Sequence, residues 1–436
     1  MPDLQAEAVR LLTQLIRHRT VNPPGAERAL QEELASELAA AGFEVSLVGR
    51  TPERPNLVAR LRGAADGPVL GLLSHVDTVA AEPADWRHDP WCGDVIDGEL
   101  WGRGALDMKS QTAAEVAAAL DLARSGWRPA RGDLVLIAVV DEEVGGADGA
   151  VWITEQHPDL VRCDWLINEG AGAVMISGRE RFYGVCVAEK GVHRFRITAH
   201  GVAAHASNPH LGDNALVRLA PLVERLGAAR PQLDPTPAPL RLLAALGLDP
   251  SDPAAALAEL RERDAALADL VEPALGVTFA PTVIRASEAI NVIPARASVD
   301  VDCRTPPGMG DATVLARVAQ ALGPPEQAGY DVEIIERIEG NGSPVDSPLM
   351  DAIARWVAEA DPGARAVPVV LPAFTDSHTF RAAFPACVAY GFFPMRHTTL
   401  EAMWPLIHAA DERIDVRDLA FAAHAYRGII VDLLGS

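Results

Sequence analysis

Three apolar runs in this chain each end in polar residues and a turn, and that repeat constrains the fold more than any other feature. Residues 134–140 are apolar and lead into Asp141-Glu142-Glu143-Val144-Gly145-Gly146. Residues 69–73 lead into Ser74-His75-Val76-Asp77, and Trp165-Leu166-Ile167 leads into Asn168-Glu169-Gly170. Short runs that are apolar throughout read as strands buried on both faces, which happens when helices cover both sides of a sheet. Helical periods lie around them: Ala8, Leu11, Leu12, Leu15 and Ile16 in 4–19, a second amphipathic stretch at 27–41, and an Ala-rich one at 110–125. Strands alternating with helices, with polar residues gathered at the strand ends, predict a three-layer α/β domain whose ligands bind at the carboxyl edge of the sheet.

Near Glu189-Lys190-Gly191 the texture changes. Residues 192–199 alternate like a strand with one exposed face, and 278–284, 297–303 and 332–338 also read as strands. With helices from about 214 and over 313–322, this stretch predicts a smaller two-layer α+β unit. Residues 231–273 are rich in Ala, Leu and Pro and read as a helical insertion. From Ser347 the longer helix and strand alternation returns, ending near Leu406-Ile407-His408-Ala409-Ala410-Asp411-Glu412. A chain of 436 residues exceeds one ordinary core, so two or three domains are expected. The formal charge of -22 argues against nucleic acid or an anionic membrane as partner. The 5 cysteines (Cys92, Cys163, Cys186, Cys303, Cys387) are scattered and without C-x-x-C spacing, which suits a reducing compartment. The N-terminal residues lack a basic-then-apolar signal pattern, so the expected location is cytoplasmic.

Two adjacent carboxylates at a strand end are costly unless positive charge stands between them. Five candidate metal ligands sit at strand ends or loop starts: His75, Asp107, Glu143, Glu169 and His408. Imidazole and carboxylate in this mixture suit Zn²⁺, with Co²⁺ or Mn²⁺ as alternatives by the same ligand logic. Five side chains are too many for one tetrahedral ion and match two ions that share a carboxylate. Asp107, which follows the turn Gly102-Arg103-Gly104, is the natural bridge. Asp77 lies two residues from His75, so on a strand both face the same way, and it is placed to fix the histidine tautomer. A water between two cations is acidic enough to attack near neutral pH. On an extended backbone Glu142 cannot point with Glu143, which leaves it free to take that water's proton.

In aggregate these motifs resemble one family. Ser74-His75-Val76-Asp77-Thr78-Val79, Gly102-Arg103-Gly104-Ala105-Leu106-Asp107-Met108-Lys109, Asp141-Glu142-Glu143, Asn168-Glu169-Gly170 and His408 occur in the order seen in the dinuclear-zinc hydrolases. That family includes aminoacylase-1, carboxypeptidase G, succinyl-diaminopimelate desuccinylase and the carboxypeptidase S type. The resemblance covers essentially the whole chain. It implies His75, Asp107 and Glu169 on one zinc, and Asp107, Glu143 and His408 on the other, with Glu142 as general acid/base. It also implies a metal-binding catalytic domain (1–190 and 341–436) interrupted by a lid or dimerisation domain (191–340). The long gap between Glu169 and His408 independently asks for such an insertion.

Three positions of the implied lid resemble substrate-contacting residues of the family. His205 resembles a histidine that reaches across a dimer to polarise the scissile carbonyl. Asn291, in Asn291-Val292-Ile293-Pro294, and Arg304, closing Asp300-Val301-Asp302-Cys303-Arg304, resemble residues that hold the substrate carboxylate. The chain departs from the family pattern once. Phe374-Thr375-Asp376-Ser377-His378 resembles a Thr-Asp-x-Arg segment, but His378 stands where the carboxylate-binding arginine would be. The expectation is a homodimeric, metal-dependent hydrolase of the amide bond in an N-acyl amino acid or dipeptide-like small molecule, of aminoacylase, carboxypeptidase or dipeptidase type. Two other readings are an aminopeptidase, which recognises a free α-amino group, and an inactive relative that serves as a metal-stabilised binding protein. The Arg304 and Asn291 motifs count against the first, and an intact base and ligand set count against the second.

Overall fold

A computed structural model describes residues 3–230 and 232–435 of the chain. It divides into two compact units: 1–187, 342–369 and 375–436 form the first, and 188–341 with 370–374 the second. Pro231, the first residue of the expected helical insertion, lies outside the described residues, as do Met1, Pro2 and Ser436.

Among the described residues, a ten-stranded mixed sheet forms the centre of the first unit. Its middle is parallel, in the spatial order Asp133–Val139, Val69–His75, Trp165–Asn168 and Val388–Gly391. These strands are the apolar runs of the sequence, and nearly every residue in them is buried. The chain leaves Val69–His75, forms its neighbour on one side, and then returns to form its neighbour on the other. That reversal makes the end of Val69–His75 a topological switch point, where an open α/β sheet leaves a crevice for ligands. Helices cover both faces of the sheet. Leu4–Arg17, Lys109–Arg124 and Val416–Leu434 pack on one another, and the last two also pack on the central strands. Lys109–Arg124 is almost entirely buried, and its run of alanines lets two helices and a sheet approach it at once. On the other face, Ala150, Ile153, Phe380 and Phe384 pack against Leu73, Val135, Ile137 and Val139.

The second unit is a two-layer α+β structure. Its antiparallel sheet has the order Thr278–Arg285, Arg296–Thr305, Gly191–His200, Tyr330–Ile338. One face carries Phe195, Ile197, Val299 and Val301, which pack under Leu219, Leu222 and Leu226 of helix Ala215–Ala228 and Val314 and Val318 of helix Asp311–Leu322. The alternate residues form ion pairs across the strands, Arg196 with Asp300 at 2.6 Å and Arg194 with Asp302 at 3.0 Å, and Arg304 pairs with Asp302 along its own strand at 2.7 Å. The expected insertion resolves into three helices, Pro237–Ala245, Pro253–Arg263 and Ala265–Val271.

Candidate metal centre

Four of the five expected ligands sit at the carboxyl edge of the parallel strands or on the loop facing it. His75 is the last residue of its strand, and Glu169 follows directly after Trp165–Asn168. Beside Glu169 the backbone leaves no room for a side chain, since a Cβ on Gly391 would come 1.9 Å from the Glu169 carbonyl oxygen. Asp107 lies just before helix Lys109–Arg124, and Glu143 in the turn after Asp133–Val139. The fifth, His408, comes from an irregular segment near the far end of the chain and has a left-handed backbone, φ +59°.

Tertiary folding brings the five together. His75, Asp107 and Glu169 form one cluster and Asp107, Glu143 and His408 another, with the ligand atoms within 4.8 Å of one another in each. Asp107 belongs to both. Its Oδ1 is 3.2 Å from His75 Nε2 and its Oδ2 is 3.0 Å from His408 Nε2. His408 Nε2 also lies 3.1 Å from Glu143 Oε2, and His75 Nε2 lies 3.6 Å from Glu169 Oε1.

Glu142 and Glu143 diverge by a different route from the one expected. They do not lie on extended backbone: Asp141 adopts the left-handed conformation, φ +74°, and Glu142–Val144 form one tight helical turn. The turn sends Glu143 to His408 and leaves Glu142 Oε2 4.0 Å from His75 Nε2. Asp77, expected on the strand, lies just beyond its end. The His75 Nδ1 has the Asp77 main-chain oxygen at 3.1 Å and its carboxylate at 3.4 Å. Both neighbours are acceptors, so Nδ1 carries a proton, and Nε2 is the nitrogen left to coordinate an ion between Asp107 and Glu169. The same Asp77 carboxylate accepts the backbone N–H groups of Glu142 and Glu143, each at 3.3 Å.

Several supporting residues were not among the sequence candidates. Asn22 Nδ2 donates to Asp77 at 2.9 Å and to Asp141 at 3.1 Å. Arg54 donates to Asp141 at 2.8 Å and grips the buried Glu27 with two bonds. Asn168, next to Glu169, donates to Thr375 and Ser377, both at 3.1 Å, and so fastens the turn that carries Asp376 and His378. Asp141 stood in the quoted run, but Asn22 and Arg54 carry no local signal that ties them to residues more than fifty positions away.

The electrostatics fit a cation-binding site. Burial pushes the Glu142 carboxyl well above the ordinary glutamate range, and Glu169, Asp376 and Asp107 push it further despite His75. Glu169 is raised in the same way, by burial and by Asp107 and Glu143. His408, flanked by Asp107 and Glu143, is raised to about 10. This surplus of buried acid around two imidazoles needs positive charge, and nitrogen and oxygen donors in these numbers suit two divalent ions sharing a carboxylate.

The remaining candidates belong to the second unit, except His378. His205 is exposed, and the Ser207 N–H donates to its Nδ1 at 3.2 Å, which places the ring proton on Nε2. His205 pairs with Val292 in a short ladder, so Asn291 is its near neighbour. Arg304 stands at the opposite end of the sheet, eight residues along its strand from Arg296. His378 is partly buried in the first turn of helix Asp376–Ala383, and its N–H donates to the Thr375 carbonyl at 3.0 Å.

Comparisons with known proteins give a family and a fold. The family model described as Peptidase family M20/M25/M40 matches residues 71–432. A succinyl-diaminopimelate desuccinylase of Cereibacter sphaeroides is 28% identical over 435 residues, covering 98% of each chain. Among solved structures, an M20 family metallo-carboxypeptidase from Sulfolobus solfataricus superposes with TM-score 0.70 at 17% identity, over 97% of this chain and 98% of that one. A dinuclear metal-binding peptidase from Bacillus subtilis superposes with TM-score 0.60 at 16% identity, over 99% of each.

Proposed function

The chain belongs to peptidase family M20/M25/M40 and is a metal-dependent amide hydrolase, and we propose that it cleaves N-acyl amino acids or dipeptide-like substrates with Glu142 as general acid/base. In this reading His75, Asp107 and Glu169 hold one ion, and Asp107, Glu143 and His408 the other. Zn²⁺ is the best match to the donor set, with Co²⁺ or Mn²⁺ as alternatives. Bound there, the ions supply Lewis acidity, which makes a coordinated water acidic near neutral pH and draws electrons from the substrate carbonyl.

Glu142 takes one proton from the attacking water as the new carbon–oxygen bond forms. It delivers that proton to the leaving nitrogen as the carbon–nitrogen bond breaks. Asp77 holds the His75 tautomer and, through the two backbone N–H groups, the turn that aims Glu142.

The first unit would be the catalytic domain and the second a lid and dimerisation domain. His205, with its proton on Nε2, is a donor suited to the scissile carbonyl oxygen. Asn291 and Arg304 are the proposed carboxylate-binding pair. Eight residue steps separate Arg304 from Arg296, the start of the strand that follows the Asn291 turn, roughly 26 Å at about 3.3 Å per residue. That is longer than an N-acyl amino acid, so if both contact one substrate they come from different protomers. This supports a homodimer in which His205 and Asn291 act in trans. Val202, Leu211, Val217, Ile284 and Ile290 expose apolar side chains on the same unit, as a self-association surface would. The similarity to a desuccinylase favours an N-acyl substrate with a free carboxylate, and His378 would contribute a titratable contact to that group. A cytoplasmic location is proposed from the scattered free cysteines.

The observation that carries the reading is the pair of ligand clusters sharing Asp107, with Glu142 beside them. Replacing Glu142→Gln is expected to leave metal stoichiometry unchanged and to lower kcat by roughly 100- to 10,000-fold. Turnover near the wild-type level in that variant, measured on a panel of N-acyl amino acids and dipeptides with added Zn²⁺, Mn²⁺ or Co²⁺, would remove Glu142 from its role. Amino-blocked and carboxyl-blocked dipeptides in the same assay separate this reading from an aminopeptidase.

A further inference from the structure

Glu412 lies four residues beyond His408, yet its carboxylate is committed to a loop some three hundred residues earlier in the chain. The side chain is fully buried. Its Oε1 accepts the backbone N–H of Leu106 at 2.7 Å and of Asp107 at 3.0 Å. Its Oε2 accepts the N–H of Gly104 at 3.1 Å and an Arg103 guanidinium N–H at 2.6 Å. The Glu412 main-chain oxygen accepts the Gly102 N–H at 3.0 Å, so the residue spans the whole turn from Gly102 to Asp107. Arg103 is itself buried, with its guanidinium over the Trp86 ring at 5.2 Å. Loops of this kind carry several N–H groups that neither helix nor strand satisfies, and one carboxylate accounts for three of them.

We propose that Glu412 is a positioning residue that sets Asp107 and His408 relative to each other, and thereby the affinity of the ion they share. The inference rests on the metal-ligand assignment proposed above. It goes further by predicting an asymmetry. The cluster of Asp107, Glu143 and His408 takes two of its three ligands from the segments that Glu412 joins. The cluster of His75, Asp107 and Glu169 takes one, and its other two ligands are held by the sheet. Between His408 and Glu412 the chain turns sharply, with left-handed φ of +59° at His408 and +62° at Asp411. A turn with two such residues persists only where its surroundings impose it, and Glu412 is the buried anchor at its end.

The test is calorimetric titration of the metal-free full-length protein with Zn²⁺ and, separately, Co²⁺. Wild type is expected to bind two equivalents; binding of fewer would overturn the underlying metal assignment rather than the role of Glu412. Given two equivalents, Glu412→Gln is expected to keep one near its wild-type affinity and to weaken the other about 10- to 100-fold, the range for residues that orient metal ligands. Wild-type affinity at both sites, or equal weakening at both, overturns the proposal. Glu412→Gln leaves a buried Arg103 unpaired and so risks misfolding, and the double variant Glu412→Gln/Arg103→Met removes that charge. If the double variant remains selectively weakened for one ion, loop positioning is the cause. If it binds both as wild type does, Glu412 serves only to neutralise Arg103, and the proposal fails.

Discussion

The two halves of the candidate metal centre share Asp107 but are built in opposite ways. The His75 half rests on the parallel sheet, where the ring is 1% exposed and the ligands follow the ends of neighbouring strands. The His408 half rests on irregular backbone, where the ring is 51% exposed. There, position depends on side-chain bonds to backbone: Glu412 to the Gly102–Asp107 turn, and Asp411 to the Arg87 N–H at 2.8 Å. Strand register determines geometry through many cooperative hydrogen bonds, so the backbone that carries His75 and Glu169 is fixed by the sheet. The second half is held by a handful of contacts and is open to solvent. One half is thus suited to holding its ion permanently and the other to tuning it.

Asp107 is where this comparison breaks first. Asp107→Asn removes the charge common to both clusters and is expected to cost both ions and at least ~1,000-fold in turnover, the scale of the several kcal/mol a metal contributes. Metal content by plasma mass spectrometry, together with an acylase assay, measures it, and retention of one tight ion would mean the halves are independent.

Next come the two histidines. His75→Ala opens a cavity in a closed site and is expected to destabilise the metal-free protein by about 2–3 kcal/mol in urea unfolding. His408→Ala, at a half-exposed position, should change metal-free stability by no more than about 0.5 kcal/mol while still losing one ion. Equal destabilisation by the two would erase the distinction between a sheet-built half and a loop-built half.

The smallest effect probes the packing behind His75. Glu115 lies in the buried helix Lys109–Arg124, accepts Gln111 Nε2 at 2.8 Å, and burial raises its carboxyl well above the ordinary range. Its folded-state affinity for a proton exceeds the unfolded one, so its contribution is fully present below the unfolded value, near 4.5, and is lost as pH rises through the folded value. Glu115→Gln, uncharged at every pH, should therefore gain stability relative to wild type as pH rises from 5 to 8, on the order of 1 kcal/mol. Thermal unfolding at both pH values checks the sign; a relative loss on going to pH 8 would show that Glu115 is ionised in the fold.

Much of this was legible from residue order. The apolar runs at 69–73, 134–140 and 165–167 announced buried parallel strands, because only strands covered on both faces dispense with alternation. His75, Asp107, Glu143, Glu169 and His408 were marked by chemistry and by position at strand ends. The second unit's alternating strands and its helices were equally readable. The divergence of Glu142 and Glu143 was expected for the wrong geometric reason, since a left-handed Asp141 and a single tight turn do the work assigned to strand alternation.

What the linear order determined, then, is which residues are candidates for metal binding and which kind of sheet presents them, because side-chain chemistry and hydrophobic periodicity are local. Tertiary structure alone decided which supports reach them. Asn22 bridges Asp77 and Asp141, Arg54 holds Asp141, and Glu412 holds the Asp107 turn, all through hydrogen bonds between distant segments. Those bonds form only after the backbone has closed, and their partners have no fixed spacing in the chain. It also decided that Arg304 stands at the far end of the strand Arg296–Thr305 from the short ladder beside Asn291, because the length of a paired strand becomes a distance only once the strand exists.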